Sequence, residues 1–160
     1  MAEDAVSRLA AVCREKELRV SAAESCTGGL IGAEITGMPG SSSFFLGSAV
    51  VYSNTAKEDI LKVPRGILFE FGAVSEQTAL CMARGSLALY RSDAAVAVTG
   101  IAGPGGATDT KPVGTVCIAA VSDRSKIART FHFKGDREDV RRQSAEAALT
   151  MLSEICEGRP

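Results

Sequence analysis

Apolar residues recur along this chain with a period that changes from segment to segment, and each change marks an element. Val6, Leu9, Ala10 and Cys13 lie at helical spacing, which predicts a first helix over residues 4–16. Residues 18–22 form a short, β-leaning apolar run. Leu30, Ile31, Glu34 and Ile35 space as a brief amphipathic helix ending near the Gly/Pro cluster at 37–40. Ser41–Ser43 reads as a loop or a fresh helix cap. Residues 47–52 are nearly all apolar, the pattern of a strand buried on both faces. Asn54 then reads as the N-cap of a helix over 55–61, and 64–72 as a connector.

Ser75 opens a long helix reaching about Tyr90, with Ala79, Met82, Ala83, Leu87 and Tyr90 on one side. A second buried strand over 94–99 runs into the glycine loop 100–106. Residues 113–121 and 126–133 predict a hairpin around 122–125, and 136–155 a last helix. Helices alternating with buried strands, followed by a strand pair, predict an α/β fold with a mixed sheet. No repeat or interior linker interrupts it, so residues 1–160 read as one domain.

Composition narrows the function classes. A 46% apolar chain of 160 residues can bury a core, and its net charge of −1 argues against a nucleic-acid-binding surface. Aromatic residues make up only 5%, too few for a base-stacking platform. No apolar run approaches the ~18 residues that span a bilayer, and the acidic start Met1-Ala2-Glu3-Asp4 lacks a signal-peptide pattern. The expectation is a cytoplasmic protein without nucleic-acid or membrane partners. Five scattered cysteines, at 13, 26, 81, 117 and 156, form no C-x-x-C pair, so neither a disulfide framework nor a zinc site is expected. Four of them read as small buried hydrophobes. Cys26 differs, because it falls where a helix start would stabilise a thiolate.

The chemistry concentrates in Ala22-Ala23-Glu24-Ser25-Cys26-Thr27-Gly28-Gly29, a strand-to-helix turn. Free N–H groups and the positive dipole end at a helix start favour an anion or a developing oxyanion. Gly28 and Gly29 would let a ligand approach the backbone. The competing reading is a simple cap, with Ser25 or Thr27 as N-cap. A serine nucleophile needs a base, and the only histidine, His132, alternates with Thr130 and Lys134 as a solvated strand residue. Tyr52 at a strand end and Lys57 in the next helix's first turn are the remaining sources, both at the sheet edge where α/β proteins bind ligands. Desolvation would turn Lys57 into a base; otherwise it is surface lysine. The loop at Thr99, Gly100, Ala102 and Gly103 suits a phosphate, or is a tight turn. Arg137 at the last helix offers a cation to that phosphate, or an i,i+4 ion pair.

In combination these motifs resemble the CinA C-terminal domain family. The resemblance is carried by Glu24-Ser25-Cys26-Thr27-Gly28-Gly29, Tyr52-Ser53-Asn54 with Ala56-Lys57, Gly72-Ala73-Val74-Ser75, the glycine loop from Val98 to Gly106, and Lys111-Pro112-Val113-Gly114-Thr115. It implies a three-layer α/β/α sandwich whose mixed sheet is mostly parallel, often assembled as a homodimer. It also implies nicotinamide-nucleotide amidohydrolase activity, converting nicotinamide mononucleotide and water to nicotinate mononucleotide and ammonia without a metal or organic cofactor. The family's catalytic set falls on Ser25, Tyr52 and Lys57. The substrate-binding expectation comprises Cys26, Thr27, Gly28, Gly29, Asn54, Thr99, Gly100, Ala102, Gly103 and Arg137. A non-catalytic nucleotide-binding module and a hydrolase of another small amide are the alternatives.

Overall fold

The computed structural model describes residues 3–158. Its centre is a five-stranded sheet in the order β2-β1-β3-β4-β5. β1 (Val20–Glu24) runs parallel to both β2 (Phe45–Val50) and β3 (Ala94–Gly100). β4 (Thr115–Ser122) pairs antiparallel with β3, and β5 (Lys126–His132) antiparallel with β4. Four strands therefore point one way and β4 alone points the other. Among the described residues no helix is long and apolar enough to cross a membrane.

Helices cover both faces, and strand alternation decides what each meets. Val20, Ala22, Val96, Val98, Ile118 and Ala120 pack with α1 (Ala5–Lys16), α2 (Leu30–Thr36) and α6 (Arg137–Cys156). Ala23, Ala95, Ala97 and Ala119 face the opposite layer of α3 (Asn54–Leu61), α4 (Arg65–Phe71) and α5 (Glu76–Tyr90). β1 is buried at every position and β3 at all but its last; β3 reads as a near-continuous apolar run, while β1 buries Ser21 and Glu24 among its apolar residues. The alanines on one face let the small residues Ala79 and Ala83 of α5 come close to the sheet. The result is a three-layer α/β/α sandwich with a mixed sheet.

The helix starts follow side-chain chemistry. Asp4 accepts from the Ser7 N–H and Ser75 from the Thr78 N–H, while Asp136 and Asp139 form a reciprocal capping box. The cap of α3 is Ser53, which accepts from the Ala56 N–H, and Asn54 is the first helical residue. The expected connector at 64–72 contains α4, entered at Pro64 with φ −61° and ended at Gly72 with φ +80°. Seven residues with only Leu68 buried gave too short a periodicity to read. β1 and β2 lie about two residues from their expected places, since apolar runs define strand existence better than strand ends.

α5 packs against α3 through a residue without a side chain. A Cβ on Gly85 would collide with the Leu61 carbonyl oxygen and lie 2.8 Å from Leu61 Cβ. In an exposed helix interior Gly→Ala stabilises by about 1 kcal/mol. Here the overpacking of about 1–3 kcal/mol wins. Gly85→Ala should therefore lower the melting temperature by about 2–4 °C per kcal/mol; a raised melting temperature would contradict this packing.

Candidate active site

The parallel strands β1, β2 and β3 all end at one edge of the sheet, and there the chain builds a cavity of about 290 Å³. Ser25 and Cys26 follow β1, Tyr52, Asn54 and Lys57 follow β2, and Thr99 to Gly106 close β3, with Arg137 reaching in from α6. Such an edge binds ligands because connections diverge there and leave a crevice.

Lys57 is the unusual group. Its side chain is buried, with 1% of the residue exposed, and Nζ lies 2.9 Å from Ser25 Oγ, 3.0 Å from the Val51 carbonyl oxygen and 3.1 Å from that of Tyr52. Burial depresses its pKa below the ordinary lysine value of 10.5. A neutral amine has two N–H donors and one lone pair. The two carbonyls take the donors, and the lone pair is left for the Ser25 hydroxyl proton. The ammonium form donates to all three oxygens, so the proton can pass between Lys57 and Ser25 without rearrangement.

Tyr52 is placed differently from Lys57. Its backbone carbonyl holds the amine, but the residue is 64% exposed and its hydroxyl lies 3.3 Å from Arg137 Nη2. Among the described residues no hydrogen bond joins the phenol to Ser25 or Lys57. Arg137 Nη1 also donates to the Gly103 carbonyl at 2.7 Å, bridging the β2 end to the glycine loop. Arg137 and Arg141 lie four apart on α6, on one face; Arg137 lines the cavity and Arg141 donates to the turn after β1, and neither forms an ion-pair ladder among the described residues.

The glycine loop is tied down at its base, where Ile101 N–H donates to Thr115 O and Gly114 N–H to Ile101 O. The N–H groups of Ala102, Gly103, Gly105 and Gly106 have no partner among the described residues, and all four residues line the cavity. Such a run of unpaired donors suits an anion. Thr99 lines the wall, but its hydroxyl donates to Ala73 O at 2.8 Å. That bond brings Ala73 and Val74 to the cavity, which explains the placement of the Gly72-Ala73-Val74-Ser75 motif.

The turn after Ser25 departs from expectation. Neither Ser25 nor Thr27 caps α2; Gly29 occupies the cap with φ +109° and no side-chain bond. Glu24, fully buried, does the capping from the strand side. Its Oε1 accepts from Thr27 Oγ1 at 2.7 Å, Gly29 N at 3.2 Å and Ile31 N at 2.8 Å. Its Oε2 accepts from Gly32 N at 3.1 Å and Ser48 Oγ at 2.6 Å. The helix start thus has no donors to spare for a substrate. Thr27, Gly28 and Gly29 do not line the cavity, and Gly28 N–H donates back to Ser25 O at 3.1 Å. On the other side, Arg141 donates to the carbonyls of Cys26 at 3.1 Å and Thr27 at 3.0 Å.

Glu24 and Arg141 are the site residues that sequence reasoning missed. A charged residue closing an apolar strand just before a glycine-started helix was the signal for Glu24, since its burial demands donors. For Arg141 the signal was its position one turn beyond Arg137. Cys26 also reverses expectation. It precedes the helix start by several residues, and burial pushes its thiol up to about 11 despite Arg141 and Lys57 nearby.

Fold and site together define an α/β sandwich with a serine hydroxyl and a buried lysine amine facing one cavity at the strand ends. The chain belongs to the CinA C-terminal domain family, whose model it matches over residues 2–156. A CinA-like protein of Geobacter metallireducens is 49% identical over 90% of this chain and 35% of its own length. One from Mycobacterium marinum is 46% identical over 94% of this chain and 34% of its own length. The chain thus spans about a third of the curated relatives it matches. Among solved structures, the competence/damage inducible protein CihA from Agrobacterium tumefaciens is 41% identical, with TM-score 0.88 and 95% of both chains covered. A CinA superfamily protein from Klebsiella pneumoniae reaches TM-score 0.92 at 32% identity, covering 96% of both chains.

The raised Cys26 pKa has a direct consequence. At pH 8 its thiol stays protonated, so iodoacetamide should alkylate it more slowly than free cysteine. Reaction as fast as free cysteine, read by peptide mass spectrometry, would contradict the burial described here.

Proposed function

We propose that this chain hydrolyses the carboxamide of nicotinamide mononucleotide to nicotinate mononucleotide and ammonia, with Ser25 as nucleophile and Lys57 as base. The observation that carries the amide-hydrolase reading is the buried Lys57 amine, 2.9 Å from Ser25 Oγ with its other donors on carbonyls. The choice of substrate follows the family resemblance.

Lys57 takes the Ser25 proton as Oγ attacks the carboxamide carbon. The negative oxygen of the tetrahedral intermediate needs a preorganised donor, and we assign it to the N–H of Cys26, which donates to no other described residue. The Lys57 ammonium returns its proton to the departing nitrogen, which leaves as ammonia. A water then gives a proton to Lys57 and attacks the Ser25 acyl ester, releasing the carboxylic acid and restoring the hydroxyl. The unpaired N–H groups of the glycine loop, with Arg137, would receive the ribose phosphate. With its hydroxyl on Arg137, Tyr52 acts at the substrate side of the cavity, and the proton relay consists of Lys57 and Ser25.

Ammonia release from nicotinamide mononucleotide, measured with a chelator present, tests the reading. Wild type should be active, and Ser25→Ala should lose about a thousandfold or more. Lys57→Arg should be equally silent, because a guanidinium does not give up its proton. Wild-type kcat/KM should fall as pH drops through the Lys57 pKa, which lies below 10.5. Full activity in Ser25→Ala would overturn the acyl-enzyme, and silence of wild type with retained nucleotide binding would favour a binding module. Tyr52→Phe should change KM more than kcat; a large loss in kcat alone would return the phenol to the proton relay.

A further inference from the structure

Ser25 and Lys57 come from different strand ends, so something must hold them within hydrogen-bonding distance. The connection runs through Glu24. Its backbone carbonyl accepts from Val51 N–H at 2.8 Å, and the Val51 carbonyl accepts from Lys57 Nζ at 3.0 Å. Lys57 Nζ in turn meets Ser25 Oγ at 2.9 Å, and Ser25 follows Glu24 in the chain. Nucleophile, base and both strand ends thus form one closed ring. The Glu24 side chain fixes the same ring from within the core. Five donors converge on it, from the turn, from α2 and from Ser48 of β2. Ser25 N–H completes the frame by donating to Val98 O of β3 at 3.0 Å.

We propose that Glu24 is the positioning residue of the Ser25–Lys57 pair, its carboxylate setting the turn that aims Oγ at the amine. This deepens the Proposed function and rests on its assignment of nucleophile and base. Glu24 is fully buried and does not line the cavity. It acts through Ser25 and touches no substrate.

Donor counting selects the test. Oε1 faces three donors, whereas Oε2 faces one N–H and one hydroxyl. In Glu24→Gln the amide oxygen can keep the three donors and the Ser48 hydroxyl can turn to accept. Only the Gly32 N–H is left facing another donor. The variant keeps the shape of the buried side chain while loosening the turn. Thr27→Val and Ser48→Ala each remove one donor from the same carboxylate and serve as independent variants.

The readout is the rate at which an alkyl fluorophosphonate labels Ser25, forming an Oγ–P bond and releasing fluoride and the hydroxyl proton. It requires no knowledge of the natural substrate. Labelling of Glu24→Gln should be slower by about 10- to 100-fold, since small misplacements of reacting groups cost rates of that order. With nicotinamide mononucleotide the loss should fall on kcat, KM staying within about twofold. Thr27→Val and Ser48→Ala should show smaller losses that do not multiply with that of Glu24→Gln, because all act through one carboxylate. A purely structural Glu24 would lower the melting temperature and leave the labelling rate per folded molecule unchanged, which would overturn the proposal. Should Glu24→Gln fail to fold, wild-type labelling rates in both other variants would overturn it equally. Absence of labelling in wild type would also overturn it. Fast labelling of wild type and slowed labelling of Glu24→Gln, without ammonia release by wild type, would sustain the positioning role and remove the substrate assignment alone.

Discussion

An amine buried in a protein interior must be neutral or surrounded by acceptors, because removing its charge from water costs several kcal/mol. Lys57 meets that demand with two backbone carbonyls and a serine hydroxyl. The acceptors at the end of β2 are available only if the chain leaves the sheet at Val51 and turns back into α3, capped by Ser53. The serine is available only if β1 ends beside β2 and its next residue stays within reach. The arrangement of the whole strand-end edge follows from keeping that nitrogen solvated by protein.

The same edge separates two kinds of polar group. On the core side, Glu24 takes the N–H groups at the start of α2 and Arg141 the carbonyls of Cys26 and Thr27, so the helix start has nothing to offer a ligand. Only the Cys26 N–H of the turn is turned to that use in the proposed reaction. On the cavity side, several N–H groups of the glycine loop have no partner among the described residues, and Arg137 holds the loop to Tyr52. In the proposed reaction, binding falls to the loop after β3, while the turn after β1 supplies alignment. Under the proposed reaction, this division leaves the alignment of Ser25 and Lys57 to the fold itself, and fixed proximity of that kind lowers a barrier.

Much of this was legible in residues. The two-sided burial of β3 shows as a nearly unbroken apolar run, β1 is interrupted by Ser21 and Glu24, and Ser75 announces its helix by capping chemistry. Ser25, Lys57 and the glycine loop stand out because a hydroxyl, an amine and a glycine-rich turn follow successive strands of one sheet. What remained hidden depended on contacts across the sequence. The roles of Thr27, Gly28 and Gly29 turned on where Glu24 points, and Cys26 reactivity turned on burial that no local pattern reports. Helix α4 is too short for its periodicity to rise above its loop-like neighbours, and Ser53 was passed over for Asn54 because both residues cap helices well.

The protonation of Lys57 is the most direct measure of this account. Titration of the six lysines by NMR of their 13Cε nuclei reports each amine separately. One lysine should titrate with a midpoint below the rest, a signal absent from Lys57→Arg and moved by Ser25→Ala. Six lysines titrating together near the ordinary value would contradict it.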